Sequence, residues 1–374
     1  MKINTDYDVV IIGGGPAGCA AAIMLSQLTD MRLMLIERDA NKQRQIGESI
    51  PPDTQVLLQK LGIWKAFLSQ HHDPCLGSCS AWGSETLGYN DFIYNPMGHG
   101  WHLNRHTFNQ LLQNTVENSQ VNYQNNCQFI NSQTTNDGHL IKIRTAGMTQ
   151  QVSTRWVIDA TGIKASFANK LGNHHIHQDH QVCLTGFFKQ NQPLGLNQLT
   201  LLEATTYGWW YAARLPNQHT VVALACDRQF MQRFELRKEK NWLKLLMAHS
   251  FYIAPQVAFQ QWLEGSITIN RTPSCINSQI TGFNWLVTGD AATAYDPISA
   301  QGIYKALAQG ISAAEAIQQH EQGDNNAMQS YSQNIKQQYA IYLDQRNHLY
   351  QQETRWQHLP FWQKRQSMAW PKTA

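Results

Sequence analysis

Charge is scarce in this chain. Asp, Glu, Lys and Arg make up only 15% of its 374 residues, and 29 Lys+Arg against 26 Asp+Glu leave a formal charge of +3. So even a balance gives no basic footprint and argues against a nucleic-acid partner. Cysteine is also sparse: the seven residues, Cys19, Cys75, Cys79, Cys127, Cys183, Cys226 and Cys275, are scattered and odd in number. That excludes a disulfide framework and predicts reduced thiols in a cytoplasmic protein. Cys75 and Cys79 form the one close pair, with His71, His72 and Asp73 just upstream. An ordinary loop is expected there, and no metal. Long apolar runs are missing too. Val9 to Thr29 carries no charge, but four glycines and Pro16 divide it, whereas a membrane span needs about 20 continuous apolar residues. No membrane segment, targeting segment, internal repeat or long linker is expected. No Ser/His/Asp or Cys/His arrangement stands out. The length suffices for a large core and two domains.

What the chain does have is a strand, a glycine turn and a helix at its start. Tyr7 to Leu25 reads YDVVIIGGGPAGCAAAIML. Gly13, Gly15 and Gly18 fit the dinucleotide-binding pattern. In that pattern Gly13 permits the sharp turn, Gly15 lets a pyrophosphate approach the backbone, and Gly18 lets helix and strand pack closely. Pro16 and Ala17 open the helix, whose N-terminal N–H groups and dipole suit phosphates. A second apolar strand, Leu33 to Ile36, ends in Glu37 and Arg38. Glu37 stands close to the position about 20 residues on that binds a ribose hydroxyl.

Further along, Gln45 to Pro52 is a polar loop, and Asp53 is expected to cap a helix over Thr54 to Leu61 that stops at Gly62. Pro74 to Tyr94 predicts short antiparallel strands, and His106 to Asn118 a helix. Val121 to Ile130, Leu140 to Arg144 and Val152 to Ile158 predict strands, the last running into Asp159-Ala160-Thr161-Gly162. His180 to Cys226 is rich in strand formers and predicts an antiparallel sheet. Gln229 to His249 predicts one amphipathic helix. Trp285 to Thr288 predicts a buried strand leading to Gly289-Asp290-Ala291-Ala292, followed by a helix from Gly302 to His320. A helical tail from Gln329 ends among Trp356, Phe361, Trp362 and Trp370. The resulting fold class is α/β: a dinucleotide-binding domain from residues 1–73, 96–175 and 271–325, an inserted antiparallel-sheet substrate domain from 74–95 and 176–270, and a helical C-terminal segment over 326–374.

Four blocks then carry a family resemblance: GGGPAG with Glu37-Arg38, GESIPP, WHLNRHTFNQLL, and DATG with GDAATAYDPISAQGI. They resemble the glutathione-reductase-type FAD proteins of the aromatic hydroxylase and flavin-dependent halogenase group. The resemblance implies that Gly13, Gly15, Pro16, Ala17, Gly18, Glu37 and Arg38 hold the adenosine and phosphate half of FAD, with Ala160 and Gly162 closing over it. It implies that Ser49 and Arg105 contact the cofactor and that Asp290 binds its ribityl chain. Pro297, Ala300, Gln301, Gly302 and Ile303 would face the pyrimidine edge of the flavin ring. Size and overall likeness bring the chain nearest to the flavoproteins that mature cysteine tryptophylquinone in amino-acid oxidases.

That subgroup implies a flavin-dependent monooxygenase that uses O2 to hydroxylate a tryptophan side chain of a quinone-dependent amino-acid oxidase precursor. NAD(P)H would visit as a transient reductant. A side chain that handles a proton near the ring is expected, with Glu48 first and His99 or His102 behind it. Halogenation is disfavoured: CSAWGSETLGY lacks the halogenase lysine, and Gly208 to Pro216 lacks the W-x-W-x-I-P pattern. Trp209 to Tyr211 is read as sheet core. The Trp-rich tail offers a docking surface, although burial of its tryptophans is favoured. The alternatives are a hydroxylase of a small aromatic metabolite, a prenyl-chain reductase, and an FAD-containing chaperone of the oxidase without catalysis.

Overall fold

The structure, a computed structural model, describes residues 5–39, 48–190 and 198–366. Trp370 and the start of the Gln45 to Pro52 loop lie outside them.

The apolar run Val9–Ile12 is fully buried because it forms the middle of a parallel sheet covered on both faces. Strand order across that sheet is Val121–Gln124, Leu33–Ile36, Tyr7–Ile12, Met148–Asp159 and Trp285–Val287, all parallel. A long hairpin, Cys127–Thr134 and His139–Thr145, extends antiparallel from the Met148–Asp159 strand. On one face the first helix, Pro16–Leu28, packs against the helix Gly302–Glu321. The two backbones nearly touch: a Cβ on Gly310 would lie 2.2 Å from the Ala17 carbonyl oxygen. The first and last of the four sequence blocks are thereby locked side by side.

A second sheet is antiparallel except for one pair. Its order is Gln261–Trp262, Gln181–Lys189, His219–Asp227, Gly208–Leu215, Leu199–Thr205, Gly77–Ala81 and Gly88–Asp91, with Thr268–Arg271 also paired to Gln181–Lys189, and only Leu199–Thr205 and Gly77–Ala81 run parallel. The two-residue period divides its side chains between faces. Trp210 and Ala212 pack into the core beneath the helix Glu239–His249, with Leu184, Val222 and Trp242. Trp209 faces the other way, toward Tyr350, Phe361 and Trp362 of the C-terminal helices Ala327–Gln352 and Pro360–Gln366. Among the described residues, no helix is long and apolar enough to cross a membrane, and no three His, Cys, Asp or Glu residues are placed to hold a metal.

The structure corrects three local expectations. Gln229–His249 is two helices, Arg228–Arg233 and Glu239–His249, because the chain turns through a left-handed Glu235 (φ 49°) to bury Leu236. Val121 to Ile130 is likewise two strands, parted at Asn126 (φ 54°). Asp53 makes no side-chain cap to the helix Thr54–Lys60, since its own backbone is already helical. At the tail the favoured burial is found at Trp362, which is fully buried and donates its Nε1–H to the Thr205 carbonyl at 2.9 Å.

Candidate functional site

One cavity of about 780 Å³ runs from the glycine turn to the face of the second sheet. Glu48 and all the cofactor-binding residues expected from the sequence line it except Gly18. Gly18 lies behind the wall, where a Cβ would fall 1.8 Å from the Gly13 carbonyl oxygen. Gly13 itself turns at φ +108°, with no room for a side chain against the Ala160 carbonyl. Gly15 differs: a Cβ there would meet no protein atom within 4 Å. The space beside it belongs to the cavity. The helix Pro16–Leu28 begins there with no side-chain cap, so its first N–H groups need an acceptor from outside the helix.

Glu37 borders the same end. Its Oε2 accepts the Gly14 N–H at 2.6 Å and its Oε1 the Asp39 N–H at 2.9 Å. The carboxylate therefore shapes the turn as well as facing the cavity. Asp159 does not reach the cavity. It is fully buried and accepts from Thr161 N–H and Oγ1–H and from the N–H groups of Phe167 and Ala168, at 2.7–3.0 Å. It anchors the helix Ser166–Lys170 and so sets Ala160, Thr161 and Gly162 in the wall.

Midway along, Glu48, Ser49, Arg105 and Asp290 converge. Burial lowers the basicity of the Arg105 guanidinium, and the nearby carboxylates of Glu48 and Asp290 oppose that. Glu48 is only 6% exposed. Ser49 Oγ and the Tyr211 phenol hydrogen bond at 2.8 Å. Burial above all, and then the Glu48 charge, raise the Tyr211 phenol well above its usual range, so it stays neutral at physiological pH. His99 and His102 do not line the cavity. His99 Nδ1 is bonded to the Gly100 carbonyl at 2.7 Å. Burial pushes the His102 imidazole down to about 4, with Arg214 helping, so it is uncharged near neutrality and no imidazolium acid. Of the three expected proton-handling groups, only Glu48 lines the cavity.

The far end is built by distant parts of the chain. Pro297–Ser299 is a single 3₁₀ turn, capped by Asp296 and ended by Ala300 in the left-handed region (φ 50°). The helix Gly302–Glu321 starts next, again without a side-chain cap. Asp296 is held on all sides. Its N–H donates to Tyr342 Oη at 2.6 Å, its Oδ1 accepts from Gln181 at 3.0 Å, and its Oδ2 accepts from Tyr350 at 2.8 Å. Arg346 pairs with Asp179 at 2.5 Å and Asp296 at 3.5 Å, all three fully or nearly fully buried. Opposite stands the sheet face, with Thr185, Trp209, Tyr211 and Asn270. The Trp209–Tyr211 segment is thus core on one side and cavity wall on the other. Lys305, buried behind Asp290, and the tyrosines of the Ala327–Gln352 helix were missed by sequence reasoning. The available signal was Lys305 and Gln309, two polar residues spaced by four on an otherwise apolar helix face.

Residues 6–237 match the FAD binding domain family, which is more than half of the chain. The chain is a member of that family. As such it is a flavin-dependent oxidoreductase with FAD as its cofactor. Over 365 residues the flavoprotein is 27% identical to LodB of Marinomonas mediterranea, named as an FAD-dependent oxidoreductase; the match covers 97% of this chain and 98% of LodB. Its fold resembles that of the myxobacterial chondrochloren halogenase CndH, with a TM-score of 0.88, 21% identity and coverage of 97% and 86%. It also resembles QhpG, described as a peptidyl tryptophan dihydroxylase essential for tryptophylquinone cofactor biogenesis, with a TM-score of 0.74, 21% identity and coverage of 98% and 80%.

The flavoprotein's cavity fits FAD on its own geometry. Its volume falls within the range of about 300–1,000 Å³ for cofactor pockets. Two uncapped helix N-termini open into it, and open space stands beside Gly15 where a phosphate must approach. Glu37 at one end and Asp290 further along offer carboxylate oxygens to sugar hydroxyls.

Proposed function

We propose that the flavoprotein is an FAD-dependent monooxygenase that hydroxylates a tryptophan side chain of a partner protein, an amino-acid oxidase precursor on its way to cysteine tryptophylquinone. The observation that carries this is the sheet face at the ring end of the cavity. Its lining there is Cys183, Thr185, Trp209, Tyr211, Ala223, Thr268, Asn270 and Thr272, all uncharged. Lys164, Arg38 and Arg105 are the cations that line the described cavity, and none is on the sheet. Such a wall suits a neutral, electron-rich indole and offers no ammonium to hold a halogenating species. The full-length likeness to LodB and the fold shared with QhpG support the same reading.

Bound FAD supplies the activation of O2 for attack by an electron-rich ring. One oxygen atom enters the ring carbon in place of hydrogen. The other leaves as water, with two electrons from a reductant, for which NAD(P)H is the proposed source. The protein's part is orientation and dryness. Trp209 and Tyr211 wall the indole's side of the cavity, and Glu48, one residue before the Ser49 that hydrogen bonds to Tyr211, accepts the proton that the ring carbon loses. In this reading the Rossmann-type sheet carries the cofactor and the second sheet carries the substrate.

The test is to incubate the FAD-loaded protein, NAD(P)H and O2 with an oxidase precursor, and to map added oxygen by peptide mass spectrometry. Oxygen on a tryptophan of the precursor is expected, with a large loss in Glu48→Gln. Oxygenation of free indole or a small phenol with an untouched precursor would overturn the reading.

A further inference from the structure

The helix Gly302–Glu321 carries a charge that its packing does not call for. Lys305 is 5% exposed and is the only buried lysine among the described residues. Its Nζ donates to Asp290 Oδ1 at 2.7 Å and to the Thr293 carbonyl, and it stands 4.7 Å from the centre of the Tyr295 ring. One turn later Gln309 donates to Thr293 Oγ1 at 3.1 Å. One helix therefore grips the 290–295 segment at several points. Taking an ammonium out of water is expensive unless its partners are fixed, and a methionine would fill the same volume without that cost. Lys305 itself does not line the cavity, whereas Asp290 does, with its side chain half exposed. The ammonium holds one carboxylate oxygen from behind while the exposed remainder of the group faces the cavity.

We propose that Lys305 is a positioning residue for the cofactor: it presets the Asp290 carboxylate toward a hydroxyl of the FAD sugar-alcohol chain and offsets its negative charge beside the flavin. The proposal rests on Asp290 being the acid that faces FAD. Presetting removes the ordering cost from cofactor binding. Offsetting the charge matters most when the flavin is reduced and gains electron density, because an uncompensated carboxylate nearby disfavours that state.

The experiment compares Lys305→Met, Lys305→Arg, Asp290→Asn, Asp290→Ala and the Lys305→Met/Asp290→Asn double variant. It measures FAD dissociation constants by flavin fluorescence and midpoint potentials by dye-coupled reduction. Lys305→Met should raise the FAD Kd at least tenfold and lower the potential. Lys305→Arg should recover most of both, and adding Asp290→Asn to Lys305→Met should cost little more, the mark of coupled residues. Circular dichroism establishes folding. If Lys305→Met does not fold, Lys305→Gln, which keeps a donor for the Thr293 carbonyl, takes its place with the same expectation. Wild-type Kd and potential in the folded variant, or fully additive losses in the double variant, overturn the proposal. Full FAD retention in Asp290→Ala instead refutes the cofactor-facing role of Asp290. Loss in Asp290→Ala with none in Lys305→Met refutes the role of Lys305 alone.

Discussion

The two ends of the cavity are made in different ways. At the phosphate end the parts are near one another in sequence. Gly13, Gly15, Pro16 and Glu37 come from one strand–helix–strand unit, and backbone geometry does most of the shaping. At the ring end the Asp296–Gly302 loop has a single 3₁₀ turn of its own and leans on distant side chains. It is held by Gln181 from the second sheet and by Tyr342, Arg346 and Tyr350 from the C-terminal helix. A compact motif with few tolerances shapes one end of the cavity, and a scaffold of long-range side-chain contacts shapes the other.

The difference can be broken first at the phosphate end. Gly18→Val drives side-chain atoms into the Gly13 carbonyl, and backbone cannot yield as a side chain does. Complete loss of bound flavin is expected, with destabilisation of about 3 kcal/mol or more, read from the flavin-to-protein absorbance ratio and the melting temperature. Wild-type flavin content would remove the basis for reading this turn as rigid.

At the ring end the weakest point is ionic. Arg346→Met strands the buried Asp179 and Asp296 carboxylates, and removing one partner of such a pair costs about 3–5 kcal/mol. Urea unfolding should show that loss. The surviving folded fraction should release flavin more readily, because Asp296 no longer fixes the loop. Loss of stability without any change in flavin affinity would mean that the network supports the fold and not the site.

The effect that is smallest near neutrality is the acid response of the middle segment. Burial pushes both His72 and His102 down to about 4, and His102 lies opposite Ser49 in the strand pairing behind the Glu48 block. Below about pH 6.5 the unfolded chain takes up protons that these folded imidazoles refuse. The stability they contribute is therefore whole above pH 6.5 and drains away as the pH falls toward 4. Each histidine contributes a slope of up to about 1.4 kcal/mol per pH unit. His102→Asn should flatten the stability profile across that window. An unchanged profile would show that other groups govern it.

The sequence was most readable where chemistry is local. Strand, glycines, proline and Glu37 announced the first unit because each has a backbone reason to be where it is. The richness of His180 to Cys226 in strand formers announced the second sheet. It did not say which face of Trp209–Tyr211 would meet the cavity, because period two fixes alternation and leaves open which side is which. The break at Glu235 was hidden by a helical pattern that tertiary burial of Leu236 overrode. Tyr342, Arg346 and Tyr350 were unreadable as site supports, since nothing in a helix announces a loop far back in the chain. His102 looked like a proton donor by residue type, and only its burial shows otherwise.

The near contact of Ala17 and Gly310 has a consequence for the order of events in the cell. The ribosome makes the glycine turn long before the helix that must lie against it. At about 5–20 residues per second the interval is roughly 15–60 s. Throughout it the turn has neither its neighbouring helix nor the Asp290 wall. A cofactor that needs both walls is therefore captured only after the Gly302–Glu321 helix has been made.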